Sequence, residues 1–464
     1  MFIQQLYTPC LSEAAYFIES NGEAAVIDPL RDIEVYLELA KERKARIKYI
    51  FETHFHADFV SGHLDLSQAT GAPIVYGPGA QASFSIHQAK DGEKFKLGEI
   101  SIVLLHTPGH TLESSCFLLK DEKGRDHCVF TGDTLFVGDV GRPDLAQKGE
   151  ELTTNDLAGM LYDSLHRKLF PLADDVLVYP GHGPGSACGK NLGPDKQSTI
   201  GREKETNYAM KAESREAFIK AVTDGIPAPP SYFPINARIN KEGYDNLEEV
   251  VRESMSTLEP ETFAQQAAKE GVIILDTRNA EVFTQGFIPG SISIGLEGRF
   301  AEWAGSLLPF DAPILLVTEP GKEKETIIRL ARVGFHKVQG YLAGGFESWK
   351  EWGGDTDMVV DVEADELIMD MPFDDKLLVV DVRKPEEFEK GHLEEALNIP
   401  LQEMADPGSM ALLEEDQNIY VHCSTGYRSV IAASLLKRQG IHNLRNVVGG
   451  WEQIREQEKV RIVH

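Results

Sequence analysis

Short apolar runs alternate with amphipathic stretches from Glu23 to Gly77: AAVIDPL, the helical IEVYLELAKERKARI, KYIFETH, and, after a loop and a further helix, APIVYG. Apolar runs of that length bounded by turn residues predict buried strands, and the stretch between them repeats its apolar positions at helical spacing. More strands are predicted at ISIVLLH, SSCFLLK, HCVFTGD and DVLVYPG, and all but SSCFLLK lead into polar residues that include His or Asp. This is the order of an α/β fold, which builds its sites on loops at the ends of buried strands.

Beyond Lys190 the periodicity fades. The segment DGIPAPPSYFPINARINKEGY holds Pro227, Pro229, Pro230 and Pro234. Each proline removes a backbone donor, so neither a long strand nor a long helix is predicted there. LEPETFAQQAAKEG then restores a helical pattern and opens an internal repeat. ILDTRNAEVFTQGFIPGSISI parallels VVDVRKPEEFEKGHLEEALNI, and LAGGFESW parallels VVGGWEQI. Asp276 to Asp381 and Gly345 to Gly450 are both steps of 105 residues, so one α/β domain occurs twice without a net gap.

A chain of 464 residues exceeds one ordinary core. The pattern divides it into a first domain over 1–225, a linker over 226–255, and repeat domains over 256–355 and 360–464. A formal charge of −28 argues against a nucleic-acid partner or an anionic membrane surface, both of which need basic patches. The opening MFIQQLYTPCLSEAAYFIE has no basic and apolar leader pattern, and no apolar run is long enough to span a bilayer, so a cytoplasmic protein is expected. Its five scattered cysteines form no disulfide framework, which leaves a catalytic thiol as the expected use of any functional one.

His54, His56 and Asp58 alternate directly after the strand KYIFE, and alternate residues of an extended segment project to one side. Distant segments add His110 in TPGHT, Asp133 in TGDTLF and His182 in YPGHG. Imidazoles and carboxylates gathered from several strand ends suit a first-row transition metal, which relieves their mutual repulsion and desolvation. HxHxD, TPGH, TGD and PGH in this order resemble the metallo-β-lactamase superfamily, whose αββα sandwich carries metals between two sheets. The usual family motif is HxHxDH, and this chain has Phe59 where the final His stands. That loss damages the second metal position and favours one metal.

The branch that joins this fold to rhodanese domains is the persulfide dioxygenases, and the resemblance implies one Fe(II) per chain held by His54, His110 and Asp133. Two histidines and one carboxylate are the facial triad of non-haem iron, with open positions for water, dioxygen and a persulfide sulfur. His56, Asp58 and His182 become groups that orient the ligands, with His56 still open as a ligand in its own right. GRPD at residues 141–144 is similar to a family loop whose arginine contacts the thiol substrate, so Arg142 is expected to pair with a substrate carboxylate or phosphate, or else with Asp144. Cys188, six residues past His182, is a candidate sulfur acceptor or a simply buried thiol.

In the second repeat the strand NIYVH runs into Cys423-Ser-Thr-Gly-Tyr-Arg428, and the helical VIAASLLKRQG follows. Amides of such a loop and the helix dipole favour a thiolate or persulfide anion, and Arg428 closes the loop. DVRKPEEFEKGH and VVGGW with this loop resemble rhodaneses. Four residues separate Cys423 from Arg428 as in sulfur-transferring rhodaneses, whereas cysteine phosphatases have five. The 105-residue offset puts Thr318 and Glu323 at the equivalent positions of the first copy. A hydroxyl without a base is a poor nucleophile and a carboxylate repels anionic sulfur, so that copy is expected to be inactive.

The resemblance therefore implies an enzyme of sulfide detoxification: a low-molecular-weight thiol persulfide and dioxygen give sulfite, and sulfur transfer at Cys423 turns sulfite into thiosulfate. The expected assembly is a homo-oligomer. A two-metal thioester hydrolase like glyoxalase II, with a sulfurtransferase tail, is the enzymatic alternative. A sulfur carrier or scaffold is the alternative without catalysis.

Overall fold

In the computed structural model, which describes residues 1–146, 151–190, 192–458 and 460–464, the chain divides into two compact units. The first takes in Met1–Glu249 with Ala331–Gly334, and the second Val250–Leu330 with Phe335–His464.

The first unit is built on two six-stranded sheets. One runs Phe2–Thr8, Glu13–Ser20, Glu23–Ile27, Arg46–Phe51, Ile74–Tyr76, His87–Gln88. The other runs Ser198–Thr199, Leu177–Pro180, Asp126–Gly132, Ser115–Lys120, Ile100–His106, Lys94–Leu97. Tyr16, Ile18, Phe51, Phe117 and Phe130 fill the core shared by their inner faces. Each such aromatic, taken out of water, contributes about 1.5–3 kcal/mol. Tyr36 and Ala40 of the helix Glu34–Glu42 cover the first sheet's outer face, and Leu161 and Phe218 from the helices Thr154–Ser164 and Arg215–Thr223 cover the second's. This is the expected αββα sandwich. The strand Glu13–Ser20 is buried at every position, so it carries no alternation for a periodicity reading to find.

The proline-rich segment departs from expectation. A helix spans Phe233–Glu242 and belongs to the first unit, so the stretch read as a linker over 226–255 is in part a wall of that unit. Pro234 stands in the helix's first turn, where a backbone N–H has no intrahelical partner and its loss costs nothing.

The two repeats build two five-stranded parallel sheets of one topology, as expected for rhodanese domains. In the first, Asp276 pairs with Val317, and in the second Asp381 pairs with His422, the same register 105 residues on. Arg278 forks onto Asp276 and donates to the Gly286 carbonyl, while Arg383 forks onto Asp381 and donates to the Gly391 carbonyl. The pair is present with and without the cysteine, so it is structural in both copies. Among the described residues no helix is long and apolar enough to cross a membrane.

Candidate functional site

The strand Arg46–Phe51 lies parallel to Glu23–Ile27, which brings Asp28 beside Thr53. Asp28 accepts from the Thr53 amide at 2.7 Å and from the Thr53 hydroxyl at 2.8 Å. With its one proton spent on Asp28, that hydroxyl accepts from His54 Nδ1 at 3.0 Å, which leaves the Nε2 lone pair bare. His110 is held alike, its Nδ1 donating to the Arg142 carbonyl at 2.9 Å. That approach needs Gly141, since a Cβ there would meet the Asp133 carbonyl oxygen at 1.9 Å and His110 Nδ1 at 2.9 Å. Asp133 follows the strand Asp126–Gly132, and its Oδ2 is 3.4 Å from His110 Nε2 and 3.8 Å from His54 Nε2.

His54 Nε2 and Asp133 Oδ2 are buried without a hydrogen-bond partner among the described residues. One donor atom from each of His54, His110 and Asp133 lies within 4.8 Å of the others. Burial, and then the His56 imidazole, push His54 well below the usual histidine range, so it is neutral at pH 7. Burial resists ionisation of Asp133, but His182, His54 and His110 outweigh it and hold the carboxyl far below the usual range. Neutral imidazole and ionised carboxylate are the forms that bind a divalent cation. Left without one, these bare buried atoms would pay an uncompensated desolvation cost, so the residues fit a metal.

The remaining motif residues brace this cradle. His182 Nδ1 lies 2.7 Å from Asp133 Oδ1, and its Nε2 lies 2.7 Å from Asp58 Oδ2. Burial opposes its charge, yet Asp133 and Asp58 outweigh burial and raise His182 well above the usual range. Each of its two ring nitrogens thus faces a carboxylate. His56 Nε2 lies 3.1 Å from Asp28 and 3.4 Å from Glu52, and these three form a donor group separate from that of His54, His110 and Asp133. The Phe59 ring packs on the His56 imidazole with centroids 4.3 Å apart. Cys188 is buried near Asp58 and His182, and the three form a second group of donors. Burial, then Asp58 and Asp133, push its thiol well up, which keeps it protonated.

A cleft of about 610 Å³ opens at His110, lined by Phe55, Leu112, Phe233, Pro234 and Lys241 among others. That size suits a small organic molecule. Arg142 does not reach into it. Its guanidinium donates to both Asp144 oxygens at 2.7 and 2.8 Å and to the carbonyls of Ala187 and Pro227. Of the two expectations for Arg142, pairing with Asp144 is the one the geometry has, and the arginine ties the loop that carries His110's acceptor.

Several bracing residues were not singled out from the sequence. Asp28 stood in plain sight at the end of the run AAVI. Asn240 gave no signal, yet it is fully buried and donates to the carbonyls of His56 and Phe59, each at 2.8 Å, while accepting from the Ser61 amide at 2.9 Å. Asn240→Leu strands three buried backbone groups that each cost about 1–3 kcal/mol. The expected outcome is a lower unfolding midpoint and weakened metal retention, measured by denaturation and metal analysis. An unchanged midpoint would show that these bonds are dispensable.

In the second rhodanese copy the strand Asn418–His422 delivers Cys423, and the helix Tyr427–Arg438 starts after Gly426 at φ 115°. The Gly426 amide donates to Cys423 Sγ at 3.2 Å. Arg428 grips Glu387 through two bonds of 2.6 and 2.8 Å and reaches Ser424 Oγ at 2.8 Å. Burial would raise Glu387, but Arg428 outweighs it and brings the carboxyl down to about 2. Arg428 thus closes the loop by anchoring it. In the first copy Thr318 is buried at the strand end, and Glu323, at the start of the next helix, accepts from the Gly321 amide at 3.1 Å. Neither a thiol nor a cation stands there.

Family models agree with this division: the Metallo-beta-lactamase superfamily matches residues 8–182, and the Rhodanese-like domain matches 259–351 and 363–457. The cytoplasmic hydroxyacylglutathione hydrolase of Arabidopsis thaliana is 35% identical over 38% of this chain and 66% of its own length. The mitochondrial persulfide dioxygenase ETHE1 of Mus musculus is 31% identical over 49% of this chain and 84% of its own length. Identity therefore does not separate the two activities. The chain spans 58% to 66% of the length of three hydroxyacylglutathione hydrolases that it matches. A crystal structure described as a metallo-beta-lactamase from Staphylococcus aureus is 32% identical with a TM-score of 0.65, covering 74% of this chain and 98% of that one. With the αββα cradle and the repeated parallel sheets, these likenesses identify the chain as an enzyme of the metallo-beta-lactamase superfamily whose catalytic fold is followed by two rhodanese domains.

Proposed function

We propose that the protein is a mononuclear iron persulfide dioxygenase whose sulfite is converted to thiosulfate by the Cys423 rhodanese loop. The observation that carries the reading is the cradle of His54, His110 and Asp133 joined in a single chain to the Cys423 loop, closed by Arg428. Fe(II) held by His54, His110 and Asp133 would supply the redox chemistry that lets dioxygen react with a persulfide. The chain's own groups do the rest. Thr53 and the Arg142 carbonyl hold the two imidazoles as Nε2 donors, and His182 aims Asp133. Phe55, Leu112 and Phe233 give the cleft at His110 an apolar lining, and there a thiol persulfide, oxygen and water would give thiol and sulfite.

At the other site the Cys423 thiolate attacks the outer sulfur of a second persulfide. The sulfur–sulfur bond breaks, the carrier leaves as thiol with the proton, and Cys423 holds the sulfur as a persulfide. Sulfite then attacks that outer sulfur, giving thiosulfate and restoring the thiolate. Cys188 has no part in this scheme, because its protonated, buried thiol is a poor acceptor.

A second reading draws on the group Asp58, His182 and Cys188 and on the hydrolase relatives: a two-metal thioester hydrolase. Against it, Phe59 withholds the usual ligand and His182 is engaged by two carboxylates. Metal analysis of protein purified without oxygen decides. About one iron per chain is expected, and two tightly bound zinc ions would overturn the reading.

A further inference from the structure

The first rhodanese copy has Thr318 and Glu323 at the positions equivalent to Cys423 and Arg428, yet two of its residues are tied to the loop of the second. The Tyr427 hydroxyl donates to the Gly295 carbonyl at 2.9 Å. Its ring lies where a Cβ on Gly295 or on Gly298 would meet it at 3.6 and 3.5 Å, so a turn of the first copy forms the seat for the residue between Gly426 and Arg428. The second tie is a chain of side chains. Thr284 of the first copy, 1% exposed, donates to Asp361 Oδ2 at 2.7 Å. Asp361 Oδ1 accepts from Asn446 Nδ2 at 2.8 Å, and Asn446 Oδ1 accepts from the Ser429 hydroxyl at 2.7 Å. Ser429 Oγ in turn lies 3.7 Å from Cys423 Sγ as an acceptor of its S–H.

The direction of each bond is set by the group before it. A carboxylate only accepts, so Asp361 turns the Asn446 amide nitrogen toward itself and leaves the amide oxygen for Ser429. The serine proton is thereby directed away from the sulfur, and its lone pair faces the Cys423 thiol. Two ties, one to Tyr427 within the six-residue loop and one to Ser429 just after it, so converge on the surroundings of Cys423, and both begin in the copy without a cysteine.

We propose that the cysteine-less copy is a working half of the sulfur-transfer site, in which Gly295 and Gly298 seat Tyr427 while Thr284 fixes, through Asp361 and Asn446, the Ser429 hydroxyl that meets the Cys423 sulfur. Tyr427, Thr284, Asp361 and Asn446 are positioning residues, since none touches the sulfur. The inference rests on the reading of Cys423 as a sulfur-transfer nucleophile. Charges facing the loop also come from both copies: Glu387, Lys384 and Arg428 from its own, Arg299 and Glu302 from the first.

The test uses the full-length protein with Tyr427→Phe and Thr284→Val, each of which removes one hydroxyl at nearly constant shape. Thiosulfate-to-cyanide sulfur transfer is followed, together with the rate of Cys423 alkylation by iodoacetamide and the thermal midpoint. Tyr427→Phe is expected to lower kcat and the alkylation rate about fivefold to tenfold, with KM for thiosulfate within about twofold, because the loop loses its tie to Gly295; Thr284→Val is expected to raise the alkylation rate by a similar factor, because a released Ser429 hydroxyl can donate to the Cys423 thiolate in place of accepting from the thiol. Wild-type kcat and alkylation in both folded variants would overturn the proposal, as would a loss that only follows a fall in the midpoint. A wild-type protein without sulfur transfer would instead remove the reading on which the proposal rests.

Discussion

Asp133→Ala is expected to abolish iron binding and lower persulfide-dependent oxygen uptake by roughly 10³-fold, about 4 kcal/mol of transition-state stabilisation, while thiosulfate-to-cyanide sulfur transfer stays at the wild-type rate. Asp133 is the carboxylate of the three-donor group, and its Oδ1 lies 2.7 Å from His182 Nδ1, so its removal takes away the charge that balances a divalent cation and leaves the His182 ring behind it without that partner. Cys423 belongs to the other compact unit, whose sheet and core do not include Asp133. Iron content, oxygen consumption and sulfur transfer measured on one folded preparation check this. Loss of sulfur transfer together with iron would show that the two sites are coupled.

Cys423→Ser is expected to reverse the pattern. Oxygen uptake and iron stay, transfer falls to background, and sulfite accumulates in place of thiosulfate, because a serine hydroxyl cannot hold sulfane sulfur as a thiolate does. The loop around it is otherwise intact, with the Gly426 amide aimed at the sulfur position and Arg428 fixed on Glu387. Chromatography of the sulfur products separates the outcomes. Undiminished thiosulfate from the variant, after subtraction of the uncatalysed reaction of sulfite with persulfide, would move the nucleophile elsewhere and bring Cys188 back into question.

Much of this site was legible because it lies at strand ends, where a buried apolar run stops on a polar residue and marks itself. His54, His110, Asp133 and His182 are all of that kind, and so is Cys423. The doubled rhodanese was legible for another reason: a constant 105-residue offset survives the loss of Cys and Arg from one copy, because Asp276 with Arg278 and Asp381 with Arg383 hold the same turn in both. What escaped was tertiary. The helix Phe233–Glu242 hides behind prolines that a first helical turn tolerates, and Asn240 is a polar residue whose value lies wholly in three distant backbone groups. Arg142 was legible as an arginine beside an aspartate, but periodicity does not report that burial spends its donors on Asp144 and two carbonyls. The ties from Thr284 and Gly295 to the Cys423 loop depend on the packing of one repeat against the other, which no local pattern encodes.

Oxygen consumption by the iron-loaded protein with glutathione persulfide tests the central claim most directly. The account predicts about one oxygen consumed per persulfide oxidised, with about one iron per chain and oxygen uptake lost in Asp133→Ala. Hydrolysis of a glutathione thioester by a protein carrying two zinc ions, with no oxygen uptake on any persulfide, would contradict it.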